Sequence, residues 1–187
     1  MGYSMCMVDN SGKVVSLSKN IQQYGSVIQV DMDMNPVPLE TAETNITYNY
    51  ATYFYEATEG DDRFLVDGIN GGIRGIYGKP IPEAQAMVST MIERIRRKYT
   101  DKKGKWLTKT VEDNHYYDQY GCEVTVEKYL FRSLEAPIRK VSNTKVISEG
   151  DTSDYWMATA GNAIKALNKL IEIMANCDDP NAVWEGD

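Results

Sequence analysis

The sequence has few of the side chains from which most catalytic and metal centres are built. It contains a single histidine, His115. Its three cysteines are far apart and none forms a CxxC pair: Cys6, Cys122 and Cys177. A histidine triad or a zinc site would have to centre on His115, but Asp113 and Asp118 beside it are typical of a solvated turn. We therefore interpret the cysteines as packing residues and expect neither a metal nor a cofactor.

The sequence also lacks long apolar runs and a targeting segment. Its apolar runs are a few residues long, far below the roughly 20 needed to cross a bilayer. Its start, MGYSMCMVDNSGK, has no basic leader before an apolar stretch. Hydrophobic residues make up 42% of the chain and charged residues 25%, as in folded globular proteins. We therefore predict a cytoplasmic protein without a membrane partner, whose 187 residues form a single domain spanning residues 1–187.

Positive charge is scarce except in one segment. The net charge is −7, with ten acidic and five basic residues in positions 1–80, and seven acidic and two basic residues in positions 151–187. Positions 81–105 reverse this balance, with seven basic residues against three acidic ones. The C-terminal end of a helix prefers cations, which accounts for this cluster without a ligand. A small anionic ligand or an acidic partner stays open, whereas the acidic flanks argue against a nucleic-acid partner.

Acidic residues cluster at positions 59–62, in the sequence EGDD. Glu59, Asp61 and Asp62 could serve in acid–base chemistry if they were buried. A run of like charges is usually a solvated loop, however, and this is the interpretation that we favour.

Alternating hydrophobic patterns and turn residues predict strands in the first half of the chain. The predicted strands are residues 3–8, 14–17 and 25–31, and the first half of 45–55 is predicted to be a strand or a capped turn. The sequence DNSG at 9–12 predicts a hairpin between the first two. The second half of 45–55 is predicted to be a short helix.

Two segments have the 3.6-residue hydrophobic spacing of amphipathic helices. The first follows Pro82 and continues into the basic cluster, and the second covers residues 160–176 with Thr159 as its N-cap. We predict that these two main helices pack on an antiparallel sheet, which gives an α+β fold.

Residues 101–150, between the two helices, are predicted to form a projecting β-rich insert. Residues 105–112 and 122–127 have strand patterns, and residues 114–121 resemble a tyrosine-rich turn. The sequence KYLFRSLEAPIRK, which follows, is compatible with a helix that stops before Pro137.

Glycine is concentrated in the stretch DGINGGIRGIYGKP at residues 67–80. A Walker loop needs GxxxxGK followed by Ser or Thr, but here Ile73 replaces the first glycine and Pro80 follows Lys79. The dinucleotide motif GxGxxG fails as well, because Asn70 stands where its first glycine should be. The familiar nucleotide motifs are therefore excluded.

Glycines nevertheless allow backbone amides to form a concave nest that binds anions. We predict four ligand-binding residues in this loop: Asn70, Arg74, Tyr77 and Lys79. Free amides at the start of the last helix are predicted to supply a second anion site, with three further ligand-binding residues: Trp156, Thr159 and Asn162. The two groups would have to meet in one positively charged recess. The other interpretation of the loop, which we favour, is a compact connection whose glycines serve tight packing.

Five segments carry a family resemblance: MGYSMCMVDNSGK, NITYNY at 45–50, GGIRGIYGK at 71–79, YWMATAGNAIKAL at 155–167 and the ending PNAVWEGD. Together they resemble a family of small phage and bacterial proteins. The resemblance does not cover the insert at 101–150. Because this family has no assigned activity, it supplies no catalytic residue. It implies a shared fold and a phage accessory role, in the host cytoplasm if the gene is carried by a phage.

We favour a non-enzymatic, phage-type binding protein that captures a small anionic ligand, such as a nucleotide signal of host defence, or inhibits a host defence protein. The glycine stretch near basic residues and the lack of a catalytic signature motivate this hypothesis. One alternative is a small enzyme that acts on a nucleotide-like substrate through carboxylates. Another is an assembly protein that forms homo-oligomers, because its 13 tyrosines and 9 methionines suit adaptable interfaces.

Overall fold

The chain is divided into two units, each with its own internal contacts. The computed structural model describes three ranges of the chain: residues 2–25, 28–124 and 139–187. The main unit combines Met1–Trp106 with Glu149–Asp187, and the second unit is Leu107–Ser148. The second unit lies within the segment predicted as an insert, 101–150. The α+β class is confirmed, since the described residues contain both helices and antiparallel sheets.

Helices and strands alternate irregularly along the described residues. The strands are β1 (Gly2–Val8), β2 (Ser16–Ile21), β3 (Leu39–Thr41), β4 (Glu43–Thr47), β5 (Leu65–Val66), β6 (Ile69–Asn70), β7 (Thr108–Tyr117), β8 (Glu123–Val124), β9 (Arg139–Ser148) and β10 (Val183–Gly186). The α-helices are α1 (Ala51–Thr58), α2 (Ile81–Tyr99) and α3 (Ala160–Ala175). Short 3-10 helices cover Tyr48–Tyr50, Asp62–Phe64 and Gly72–Ile76.

The central sheet of the main unit has the strand order β10-β1-β4, and both pairings are antiparallel. Successive side chains of a strand point to opposite faces. Tyr3, Met5 and Met7 of β1 are therefore buried on one face, together with Ile46 of β4 and Trp184 of β10. Buried residues of all three α-helices belong to the same hydrophobic core, so the helices cover this face of the sheet.

The two main helices form at nearly the predicted bounds. Pro82 lies in the first turn of α2, where its missing N–H costs no intrahelical hydrogen bond. The apolar stripe of α2 is buried as its spacing predicts: Ala84, Met87, Val88, Met91 and Ile95. At the start of α3, the Thr159 hydroxyl accepts a hydrogen bond from the Asn162 backbone N–H, at 3.2 Å. Both helix predictions and the predicted N-cap are therefore confirmed.

The predicted hairpin between residues 3–8 and 14–17 is only partly correct. The first strand is confirmed as β1, but its predicted partner reaches it through a single bridge, between Val8 and Val14. β2 begins at Ser16 and pairs with β3 instead. The turn residues at 9–12 therefore reverse the chain as predicted, but β2 pairs with β3 and not with β1.

The predicted strand at 25–31 is wrong where the structure describes it, and residues 26–27 lie outside the described residues. Of the described part, only Val30 forms a bridge, with Pro36. The Asp31 carboxylate accepts hydrogen bonds from the backbone N–H groups of Asp33 and Asn35, both at 2.9 Å. These bonds turn the chain locally, which replaces an extended strand.

The second unit contains the sheet β8-β7-β9, in which ten consecutive residues of β7 pair with β9. The predicted turn at 114–121 is wrong in its first half, because residues 114–117 belong to β7. The turn begins at Asp118, whose carboxylate accepts from the N–H groups of Tyr120 and Cys122. His115 therefore lies in a strand, where Glu123 and Asp113 contact its ring nitrogens and raise its pKa.

Part of the predicted insert lies outside the described residues. The strand predicted at 122–127 is described only as β8. The helix predicted to stop before Pro137 lies outside the described residues, which resume at residue 139 with β9. In the part of the chain that the structure describes, no helix combines the length and apolar character needed to span a membrane.

Candidate functional site

The glycine stretch at 67–80 forms a tight hairpin followed by the 3-10 helix Gly72–Ile76. Asp67 and Gly68 at the hairpin turn both have positive φ, 51° and 79°, as a type I′ turn requires. A Cβ on Gly75 would lie 2.6 Å from the Phe64 Cα, so this position admits only glycine without a backbone shift. Glycine at this position therefore serves tight packing.

Asn70 ties this stretch to the end of α1. Its Oδ1 accepts hydrogen bonds from the Thr58 hydroxyl at 2.7 Å and from the Gly72 N–H at 3.0 Å. Its Nδ2 donates to the Tyr55 carbonyl at 2.9 Å. Both ends of the Asn70 amide are thus used within the fold.

Arg74 and Lys79 also have intramolecular partners. The Arg74 Nε donates to the Asp187 carbonyl at 2.9 Å, and its guanidinium carbon lies 4.9 Å from the centre of the Tyr3 ring. Lys79 forms an ion pair with Glu83 at 3.1 Å. The stretch docks on β10, where the Gly78 N–H donates to the Trp184 carbonyl at 2.9 Å. Through its hydrogen bond to the Asp187 carbonyl, Arg74 holds residue 187 against the glycine stretch.

The Tyr77 hydroxyl is buried without a hydrogen-bond partner among the described residues. Burial raises the pKa of Tyr77 to about 12. A Cβ on Gly186 would lie 2.6 Å from this hydroxyl, so the Tyr77 side chain packs directly against β10.

The second predicted anion site, at the start of α3, is wrong in its premise of free amides. The Ala160 N–H donates to Oε2 of Glu149 at 3.0 Å, and the Gly161 N–H donates to the Glu149 carbonyl at 2.7 Å. The next two amides are satisfied by Thr159, through its hydroxyl and its carbonyl. This helix start is therefore capped by the protein itself.

Asn162 and Trp156 support the chain ahead of α3. The Asn162 Nδ2 donates to the carbonyls of Asp154 and Met157, at 2.7 and 2.9 Å. The Trp156 carbonyl accepts a hydrogen bond from the Asn49 Nδ2 at 2.7 Å, while Trp156 as a residue is 53% exposed. Among the described contacts, none joins the three predicted residues near α3 to the four in the glycine stretch. Ligand binding by these seven residues stays a prediction.

A different place in the main unit has the shape and charge of a ligand site. It is a cleft of about 510 Å³ between α1 and the C-terminal half of α2. Five charged side chains line this cleft: Glu56, Glu59, Arg94, Arg97 and Lys98. Tyr53 and Tyr99 line it as well. The basic side chains lie three and four residues apart on α2, a spacing that places them on one face of the helix.

Arg94 is held by the end of α1. Its guanidinium donates to the Ala57 carbonyl at 2.9 Å and to Oδ2 of Asp61 at 2.8 Å. Asp61 also binds Arg63 at 2.7 Å, and its side chain is only 11% exposed. Hydrogen bonds from Arg63, joined by those from Arg94, hold the pKa of Asp61 far below its usual range. The EGDD segment is therefore not simply a solvated loop, since Asp61 joins the two helices.

Glu56 neutralises Lys98 within the cleft. Its Oε2 lies 2.9 Å from the Lys98 Nζ and accepts a hydrogen bond from the Tyr99 hydroxyl. Burial pushes the pKa of Glu56 upward, but the hydrogen bonds from Tyr99 and Lys98 outweigh it and lower the pKa. Burial and the bond to Glu56 raise the pKa of Tyr99.

Two charged side chains of the cleft have no partner among residues 2–25, 28–124 and 139–187. Arg97 of α2 and Glu59 at the end of α1 are both exposed. Neither side chain forms a hydrogen bond or an ion pair with another described residue. As far as the structure describes the chain, the cleft therefore offers a ligand one cation and one carboxylate that are not paired within the protein.

The aromatic wall of the cleft is fixed from behind by a buried carboxylate. The Tyr53 and Tyr99 rings lie 4.9 Å apart between centroids. The Tyr53 hydroxyl oxygen lies 2.8 Å both from Oε2 of Glu149 and from the Ala158 carbonyl oxygen, so these two acceptors share its single proton. Glu149 is only 4% exposed and also accepts from the Ala160 N–H. The tyrosine wall is thus tied to the start of α3.

The cleft was not predicted from the sequence, although one signal pointed to it. The excess of basic residues at 81–105 left an anionic ligand open, and Arg94, Arg97 and Lys98 belong to that segment. No local pattern marked Glu149. Within the described residues, no group of three or more His, Cys, Asp or Glu side chains is arranged to hold a metal ion.

Comparison of the chain with models of protein families, with curated proteins and with solved structures found no match. The resemblance to small phage and bacterial proteins therefore stays a prediction, and the cleft is interpreted from its own chemistry.

Proposed function

We propose that this protein binds a small anionic ligand, with a nucleotide as the leading candidate, in the cleft between α1 and α2. One observation carries the proposal. Arg97 is an exposed cation without an intramolecular partner among the described residues, on the wall of a cleft of about 510 Å³. Guanidinium groups bind phosphate oxygens in a bidentate manner, which suits Arg97 to a phosphate.

The size and lining of the cleft support a ligand of nucleotide size. Pockets for small molecules usually enclose about 300–1,000 Å³ and combine apolar or aromatic walls with a few polar groups. Tyr99 provides aromatic surface beside Arg97, with the buried Tyr53 ring behind it. Aromatic side chains stack on any nucleobase, so the same cleft can hold both parts of a nucleotide.

We propose capture of the ligand rather than its conversion. Glu56 and Tyr99, the acid–base candidates nearest the free cation, are hydrogen-bonded to each other. The pKa of Tyr99 is raised and the pKa of Glu56 is lowered, so neither group is suited to exchange a proton near neutral pH. In this proposal the protein has a phage-type accessory role in the host cytoplasm, where it withholds a nucleotide signal from a host defence system.

Isothermal titration calorimetry with nucleoside monophosphates at low salt tests this proposal. We expect wild type to bind at least one of them, and Arg97→Gln to bind it roughly tenfold more weakly, a loss of about 1.4 kcal/mol. Arg96→Gln is the matched control, since Arg96 is exposed on the same turn but does not line the cleft. No binding by wild type, or equal binding by Arg97→Gln, would overturn the proposal.

A further inference from the structure

The free charges of the cleft have opposite signs and lie on opposite walls. Arg94 is occupied by Asp61, and Lys98 by Glu56. Arg97 on α2 and Glu59 at the C-cap of α1 remain without partners among the described residues. A ligand that carries only negative charge would satisfy Arg97 but would place part of its charge near Glu59.

A carboxylate accepts hydrogen bonds and donates none. Glu59 therefore favours a ligand that presents N–H donors on the side away from its phosphate. Exocyclic amino groups of nucleobases are such donors, and carboxylates accept hydrogen bonds from them in base recognition. Guanine offers a ring N–H and an amino group side by side, which matches the two oxygens of one carboxylate. Uracil offers one N–H that lies between two carbonyl oxygens, and a carboxylate repels these oxygens.

The tyrosine wall determines where a base can lie. Tyr99 is half-buried, and its ring is held from behind by Tyr53 and through its hydroxyl by Glu56. Because the Tyr99 ring is already fixed, stacking a base on it does not cost the conformational entropy of ordering the side chain.

We infer that the ligand is a nucleotide whose base carries an exocyclic amino group, with guanine as the best match. Arg97 binds its phosphate, Tyr99 stacks on its base and Glu59 accepts hydrogen bonds from its amino edge. This inference rests on the proposed function and adds the base specificity of the same cleft.

Two pairs of nucleotides test the amino group in calorimetry. GMP differs from IMP by the 2-amino group alone. CMP differs from UMP at two adjacent positions, because an amino group replaces a carbonyl and N3 becomes an acceptor instead of an N–H donor. We expect wild type to bind GMP and CMP roughly tenfold more tightly than IMP and UMP, respectively. Glu59→Gln should remove most of this difference. Glu93→Gln should preserve it, because Glu93 is an exposed residue of α2 that does not line the cleft.

The outcomes separate this inference from the proposed function. Arg97→Gln should weaken all four nucleotides by a similar factor and preserve the preference for amino-bearing bases. Equal affinity of wild type for GMP and IMP, or a preference that survives in Glu59→Gln, would overturn the inference while anion binding stands. Ribose 5-phosphate binding as tightly as GMP would also overturn it, since the base would then contribute nothing. If neither ribose 5-phosphate nor any nucleotide binds, the proposed function itself fails.

Discussion

The Tyr53 hydroxyl lies 2.8 Å from Oε2 of Glu149, a hydrogen bond between residues 96 positions apart in the chain. It connects the aromatic wall of the cleft to the capped start of α3. The carboxylate is buried, so its hydrogen-bond partners compensate for the loss of solvation. Tyr53 and Glu149 therefore couple the stability of the main unit to the shape of the candidate site.

Replacing Glu149 by Ala is expected to destabilise the protein by about 2–3 kcal/mol, because the Ala160 N–H loses its acceptor and a cavity is left. Tyr53→Phe should cost about 1 kcal/mol, since Glu149 keeps the bond from Ala160. Urea unfolding followed by circular dichroism measures both values. A free energy of unfolding of Glu149→Ala within about 0.5 kcal/mol of the wild-type value, as for a neutral surface substitution, would show that the buried contact does not stabilise the protein.

The ion pairs of Asp61 should make stability depend on pH. Because the pKa of Asp61 is lowered in the folded state, its contribution is complete above the unfolded value of about 4 and is lost as pH falls below that value. Asp61→Asn should therefore destabilise the protein by about 1–2 kcal/mol at pH 7 and by progressively less below pH 4.

Urea unfolding of Asp61→Asn and wild type between pH 7 and pH 2.5 checks this dependence. Asp62→Asn is the matched control, because Asp62 is an exposed neighbour without an arginine partner among the described residues. A destabilisation by Asp61→Asn that stayed constant over this pH range would show that the charge of Asp61 is not responsible.

Gly75→Ala tests the packing role of the glycine stretch. Its Cβ would lie 2.6 Å from the Phe64 Cα, so the backbone has to move, at a cost of about 2–3 kcal/mol. Gly78→Ala is a useful comparison, because φ is +70° but nothing lies within 4 Å of the added Cβ. It should cost about 1 kcal/mol. Thermal unfolding that ranked Gly78→Ala as the more damaging change would contradict the packing interpretation.

Arg74 and Arg97 should have separable roles. Arg74→Ala removes the bond to the Asp187 carbonyl and the contact with Tyr3, and should destabilise the protein by about 1–2 kcal/mol without changing the affinity for nucleotides. Arg97→Gln should weaken binding and leave the unfolding free energy unchanged within about 0.5 kcal/mol. Calorimetric titration and urea unfolding of both variants decide this. Weaker nucleotide binding by Arg74→Ala would return the site to the glycine stretch.

The sequence predicts the structure correctly where that structure depends on residues close together in the chain. The stripes of α2 and α3 and the cap at Thr159 follow from spacing within one helix, and they form as predicted. The strand predicted at 25–31 failed because the Asp31 side chain turns the chain, which overrides a weak β pattern. β7 extends beyond its predicted end because β9 pairs with it, and that pairing is not local.

The candidate site depends on contacts that no single segment contains. The basic residues of α2 were visible in the sequence. Only the packing against α1 shows that Lys98 is paired, whereas Arg97 has no partner in the described part of the chain. Glu149 reaches Tyr53 across 96 positions and leaves no local trace. The chemistry of Asn70 and Arg74 predicts ligand contacts, whereas the fold uses both side chains in intramolecular hydrogen bonds.

The most direct test of the account is a titration of ¹⁵N-labelled wild type with GMP, followed by backbone amide chemical shifts. If GMP binds in the cleft, we expect saturable chemical-shift changes that concentrate in residues 53–59 and 94–99, on its two walls. In Arg97→Gln these changes should require higher GMP concentrations. Changes concentrated in residues 70–79 and 156–162 would contradict binding in the cleft. The absence of changes at GMP concentrations on the order of 1–10 mM would also contradict it, because the binding free energy would then be weaker than about −4 kcal/mol.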